Sequence, residues 1–232
     1  MAYEASCPYD ARMKSLVSSR PLIGARGYGH RSWEGTFYPH DLPREWRFIF
    51  YSHRCDAVLV PLSRQGLDPG RVALWEEEAP PDFQVVLEVP ESALASLAAA
   101  SFTFPSLIKG ALVRLTRRTS AHEESLRALS SILPVSVDMR QISASLAQDL
   151  AHMGIGVCGR PAAGRPAQGP FAVSLLGSWD RPLLGRALSA LREARAPKGS
   201  ALFFTSPERA ITGMEEAAMI AGLMEGSLKK EA

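Results

Sequence analysis

Cysteine is scarce in this chain of 232 residues: Cys7, Cys55 and Cys158 stand far apart and form no CxxC pair. A zinc knuckle or a redox dithiol needs paired thiols a few residues apart, so both are excluded. The histidines His30, His40, His53, His122 and His152 show no HxH or HExxH spacing, so neither a metal centre nor a cofactor is expected. No apolar run approaches the ~20 residues of a membrane span. The first twenty residues contain Glu4 and Asp10 and no apolar core of signal-peptide length, and a soluble, cytoplasmic protein without a membrane partner is expected. Charge of either sign is also in short surplus, 26 basic against 24 acidic residues, so no global field draws nucleic acid. The small basic stretch "LTRRTS", residues 115–120, lacks the interleaved aromatics of an RNA footprint. Any anion preference must be local.

What the chain does have is alternation. Short apolar runs, "PLIGARGYG", "DAVLVP", "FQVVLEV", "ALVRL", "VSVDMR", "GIGVCG", "FAVSLLG" and "ALFFTS", are separated by segments of helical period and by no hairpin signals. In the segment after Leu42, for example, Trp46, Ile49, Phe50 and His53 recur at one-face spacing. Strands joined by helical crossovers pair in parallel, and eight such units are the number that closes a TIM-like (β/α)8 barrel of parallel strands with outer helices, an α/β fold. An open doubly wound sheet is the alternative, because periodicity cannot show closure. At 46% hydrophobic content the chain can build one large core, so residues 21–228 are expected to form a single domain behind an N-terminal extension, 1–20. The segment "GRPAAGRPAQGP", residues 159–170, reads as a flexible connector after the sixth strand, with a lid over the barrel mouth as the alternative. The tail "SLKKEA" reads as solvated.

The stretch "GARGYGHRSWEGTFYPHDLP", residues 24–43, fits neither helix nor strand period. Rings would fill a packed loop over the barrel end, and glycines would permit its tight path. Its Gly24, Gly27, Trp33, Gly35, Phe37, Tyr38 and Pro39 resemble the N-terminal signature of the YecE-like barrel family, in which a first strand is followed by a Trp-x-Gly-x-Phe-Tyr-Pro segment and a helix. Later stretches keep the family order: Trp75 with "PPDFQVVLEVP", "VSVDMR", "FAVSLLG" and "FFTSPE". The resemblance implies a TIM-like barrel of undetermined biochemical function and marks this chain as a divergent member. Leu59 and Pro61 stand where the family carries Glu and Asn, and Glu88 where it carries Lys. Ser174 and Leu176 replace an Arg and a His, and Thr205 and Ser206 an Asn pair; Asp138 and Arg140 are kept. The resemblance thus implies reduced catalytic equipment.

Active sites of such barrels lie at the carboxyl ends of the strands. In "VSVDMR" period-two alternation sends Val135, Val137 and Met139 toward the helices and Ser136, Asp138 and Arg140 into the barrel. The same parity places Gln84, Glu88, Arg114 and Ser174 inside, with Arg26 at the end of the first strand. Isolated interior charges are costly, so these groups should pair with one another or with a ligand. Arg26, Arg114 and Arg140 against Glu88 and Asp138 would leave one positive charge for an anion. The expected ligand-binding residues are therefore Arg26, His30, Arg114, Arg140, Ser174 and Ser206, with Asp138 or Glu88 as general base. Ser206 before Pro207 is also explained by helix capping alone. Two functions follow: an enzyme or binder acting on a small phosphorylated or carboxylated ligand, or a non-catalytic barrel that binds a protein partner.

Overall fold

Buried parallel strands must satisfy their backbone groups sideways, and a ring of them leaves no edge to cover. The computed structural model describes residues 20–100 and 103–228. The strands are β1 Leu22–Arg26, β2 Ala57–Pro61, β3 Gln84–Pro90, β4 Ile108–Leu115, β5 Val135–Met139, β6 Gly156–Val157, β7 Ala172–Leu176 and β8 Ser200–Phe204. They lie in the order β6-β5-β4-β3-β2-β1-β8-β7, every neighbouring pair parallel. The ring is completed between β6 and β7 by a single parallel bridge, Gly159 to Ser174. There the Gly159 N–H donates to Val173 O at 2.7 Å and the Leu175 N–H to Gly159 O at 3.1 Å. The expected TIM-like barrel is therefore the fold, with β6–β7 as its thinnest seam. The extension up to residue 19, with Cys7, and the last four residues lie outside the described residues.

The outer helices are α1 Arg47–Ser52, α2 Pro69–Glu78, α3 Glu91–Ala98, α4 Ser120–Ile132, α5 Ala144–His152, α6 Arg181–Glu193 and α7 Pro207–Leu228. Side-chain oxygens open several of them: Asp68 accepts from Gly70 N, Thr119 from His122 N, Ser143 from Leu146 N and Asp180 from Leu183 N. These caps satisfy amides that the first turn leaves free. The buried face of α1 is not the expected one. Phe48 and Tyr51 face inward while Trp46 and His53 are exposed, because Arg47 is itself buried, its guanidinium held by Glu34 and packed on the Tyr38 ring.

Two apolar layers result. Between strands and helices lies a large layer containing Ile23, Ala25, Val58, Val85, Leu87, Val113, Val135, Val137, Ala172, Leu176 and Leu202. Inside the barrel a smaller plug holds Leu59, Val86, Leu112, Cys158, Phe171, Val173, Leu175 and Phe203. The parity read for β5 is as expected. That for β7 is corrected: Val173 and Leu175 point inward, so Ser174 sits between Ala172 and Leu176 in the outer layer. The rings of the 24–43 stretch also join the outer layer rather than roofing the mouth. Trp33 stacks on Tyr51 at 6.0 Å with Tyr38 beside it, and the Tyr51 hydroxyl accepts from Ala25 N at 2.9 Å and donates to Ala57 O at 3.0 Å, locking α1 onto β1 and β2.

The 159–170 segment is corrected as well. It is a hydrogen-bonded hairpin rather than a plain connector. Val157 and Gln168 exchange backbone bonds at 2.8 and 3.0 Å, and Arg160 and Arg165 do so at 2.8 and 3.2 Å. A short turn, Pro161–Ala163, leads to Gly164, whose φ of 70° lies in the left-handed region that favours glycine and lets the chain reverse.

Candidate functional site

Above the apolar plug, the next inward positions of β3, β4 and β5 are Glu88, Arg114 and Asp138, and the register sets Arg114 beside Asp138. Two carboxylates here are almost wholly buried, Glu88 at 3% and Asp138 at 6% exposure. Buried charges of this kind persist only when paired. Glu88 takes Arg26 Nε at 2.5 Å on Oε2 and an Arg114 guanidinium nitrogen at 2.7 Å on Oε1. Asp138 takes Arg160 through two nitrogens and Arg165 at 3.2 Å, with Arg114 Nε at 3.4 Å. Arg165 also donates to the Met139 carbonyl at 2.7 Å, tying the hairpin to the end of β5.

The network therefore holds four guanidiniums and two carboxylates, two positive charges in excess rather than one. Arg160 and Arg165 were not among the residues read from sequence. A signal existed: Gly-Arg-Pro-Ala occurs twice in succession, at 159–162 and 164–167. Five-residue spacing across a turn set at Gly164 makes the two arginines a bonded cross-strand pair. Such partners share a face, and like charges directly opposite one another repel unless an anion lies between them. Asp138 supplies that anion.

These groups open onto a cavity of about 1210 Å³ at the carboxyl ends of β2 to β5 and the hairpin. Arg64, Arg114, Arg140, Arg160 and Arg165 line it together with Asp138 and Glu91, and Leu62, Leu115, Met139 and Ile142 give it an apolar wall. Arg140 is exposed at the rim and has no ion-pair partner among the described residues. Glu91 is already engaged: it accepts from Thr116 N and Oγ1 at 2.9 and 2.6 Å, bonds that hold its carboxyl below the usual range. Of the residues expected from sequence, Arg114, Arg140 and Asp138 come together at this cavity; Arg26 and Glu88 back it through their ion pairs.

Three others do not reach it. His30 donates from Nε2 to the Arg26 carbonyl at 2.7 Å and packs edge-on against Trp33 at 4.6 Å. The Ser206 hydroxyl donates to the Glu208 carboxylate at 2.8 Å at the start of α7. Ser174 lies in the outer layer. Neither described cysteine lines the cavity. Burial pushes the Cys55 thiol up to about 12, and burial reinforced by the Asp138 charge pushes that of Cys158 up as well, so both stay protonated. Among the described residues no three His, Cys, Asp or Glu side chains stand close enough to hold a metal ion, and no helix is long and apolar enough to cross a membrane.

Fold and site together define a TIM-like barrel with an arginine-rich, carboxylate-braced mouth. Residues 22–96 match the family described as "Protein of unknown function DUF72", which bears out the resemblance carried by the Trp33 to Pro39 signature. Two solved structures share the architecture. A DUF72 family protein of Thermotoga maritima superposes with a TM-score of 0.59 at 14% identity, over 90% of this chain and 99% of that one. A DUF72 family protein of Enterococcus faecalis gives 0.59 at 13% identity, over 88% and 98%. At such identities the likeness is one of fold. No curated protein matches the chain.

Proposed function

We propose that this barrel binds a small organic anion at its carboxyl-terminal mouth, and that Glu88 and Asp138 hold the arginines in place rather than act as general bases. The supporting observation is the cavity wall itself, where five guanidiniums face two carboxylates. Asp138 has little left to offer a substrate: of about four acceptor positions on a carboxylate, three take hydrogen bonds from Arg160 and Arg165, and Arg114 Nε stands 3.4 Å away. This fits a chain whose strand ends have lost polar groups that the family resemblance leads one to expect. The partner-binding alternative draws less support, because the exposed large apolar side chains Trp46, Leu74, Ile132, Met219 and Leu223 all lie on outer elements and none lines the cavity.

Arg140→Ala tests the reading. Since Arg140 is exposed and unpaired, its removal should leave stability within ~0.5 kcal/mol of wild type. A lost charge-assisted hydrogen bond of about 1.5 to 3 kcal/mol should nevertheless weaken binding roughly tenfold to a hundredfold. A thermal-shift series with phosphate, sugar phosphates and organic acids provides the readout. A ligand at a hundred times its Kd adds ~2.7 kcal/mol, or roughly 5 to 10 °C in Tm for a chain of this size. A shift of equal size in wild type and variant would put the anion somewhere else.

A further inference from the structure

Resting on that reading, we infer that the mouth selects a dianion over a monoanion, its ligand being a phosphomonoester of a small apolar or aromatic alcohol. Charge is the first reason. The network keeps two positive charges uncompensated after Glu88 and Asp138 are counted, and at the rim Arg64 and Arg140 add two while Glu91 removes one. A carboxylate ligand would neutralise one of them; a phosphomonoester, close to doubly charged at neutral pH, neutralises two. The second reason is geometry. The side chains of Arg114, Arg160 and Arg165 are 44%, 34% and 20% exposed and line the cavity while still engaged by Asp138. Forks arriving from β4 and from both limbs of the hairpin suit the three oxygens of a tetrahedral oxyanion better than the two of a planar carboxylate. The third reason is the opposite wall, where Leu62, Leu115, Met139 and Ile142 offer apolar contact that inorganic phosphate cannot use.

Calorimetric titration of the wild-type protein with phenyl phosphate and phenyl sulfate isolates charge from shape. At pH 7.5 phenyl phosphate should bind at least roughly tenfold more tightly than phenyl sulfate, the effect of one further unit of charge beside partly exposed guanidiniums. At pH 5.0, below the second phosphate ionisation near ~6, the two affinities should converge. Glu88, Glu91 and Asp138, with His122 at 3.3 Å from Glu91, are the protein groups that face or back the cavity and can titrate. Phenyl sulfate keeps its charge over this range and so cancels their contribution. Equal affinities at pH 7.5 would overturn the dianion preference while leaving anion binding intact. Inorganic phosphate binding as tightly as phenyl phosphate would overturn the ester. If none of the three binds, the inference and the function it rests on fall together.

Discussion

Asp138→Asn should lower Tm by roughly 5 to 10 °C, and added sulfate or phosphate should restore more of that loss than the same anions add to wild type. Removing one partner of a fully buried ion pair costs about 3 to 5 kcal/mol, because the other charge is stranded. The guanidiniums around Asp138 are 20% to 44% exposed, and water compensates part of the loss. A cost of about 2 to 3 kcal/mol remains, which gives the stated shift for a chain of this length. The variant amide keeps the shape of the carboxylate but not its charge, leaving Arg160 and Arg165 opposed across the hairpin with no anion between them. An oxyanion from solution can take that place. Chloride at matched ionic strength separates site binding from general screening. Recovery that chloride reproduces in full, or a variant as stable as wild type, would refute the role given to Asp138.

The second large effect is expected from a methyl group. Gly156→Ala, in β6, should cost about 3 kcal/mol, near the upper end for overpacking a tight site, and should also abolish the anion-dependent thermal shift. A Cβ built on Gly156 would stand 2.1 Å from the Phe171 carbonyl oxygen and 3.0 Å from that of Gln168. Both are backbone atoms of the chain that runs from the hairpin into β7, so nothing can yield without parting the seam. Gly164→Ala at the hairpin tip is the control. Its Cβ meets open space, and only the left-handed φ of 70° is penalised, by about 1 kcal/mol. Circular dichroism melts with and without phosphate read both effects. Gly156→Ala that melts and binds like wild type would show that the seam can shift without consequence.

The sequence made the barrel legible because eight apolar runs separated by helical segments admit few other topologies. It made β5 legible because polar and apolar residues alternate there. In β7 they do not. A strand covered on both faces reads as an apolar run, and its lone Ser174 gives no parity of its own. It faces outward at the seam instead, next to Gly159, which has no side chain to oppose it. The missing half of the charged network had a different cause. Arg160 and Arg165 sit in a Gly-, Pro- and Ala-rich stretch whose composition says connector, while the repeated Gly-Arg-Pro-Ala that pairs them is a local pattern that hydrophobic periodicity does not register. In α1 the burial of Arg47 turns the helix away from the face its apolar residues suggest.

The hairpin is at once the suture of the barrel and one wall of its mouth. Elsewhere around the ring, strands are joined by ladders, whereas β6 and β7 meet at one bridge. Local opening favours the place with the fewest backbone bonds to break. An anion held by Arg160 and Arg165, as proposed, would tighten the stitch, and occupancy of the mouth and breathing of the barrel wall would then be two readings of a single equilibrium.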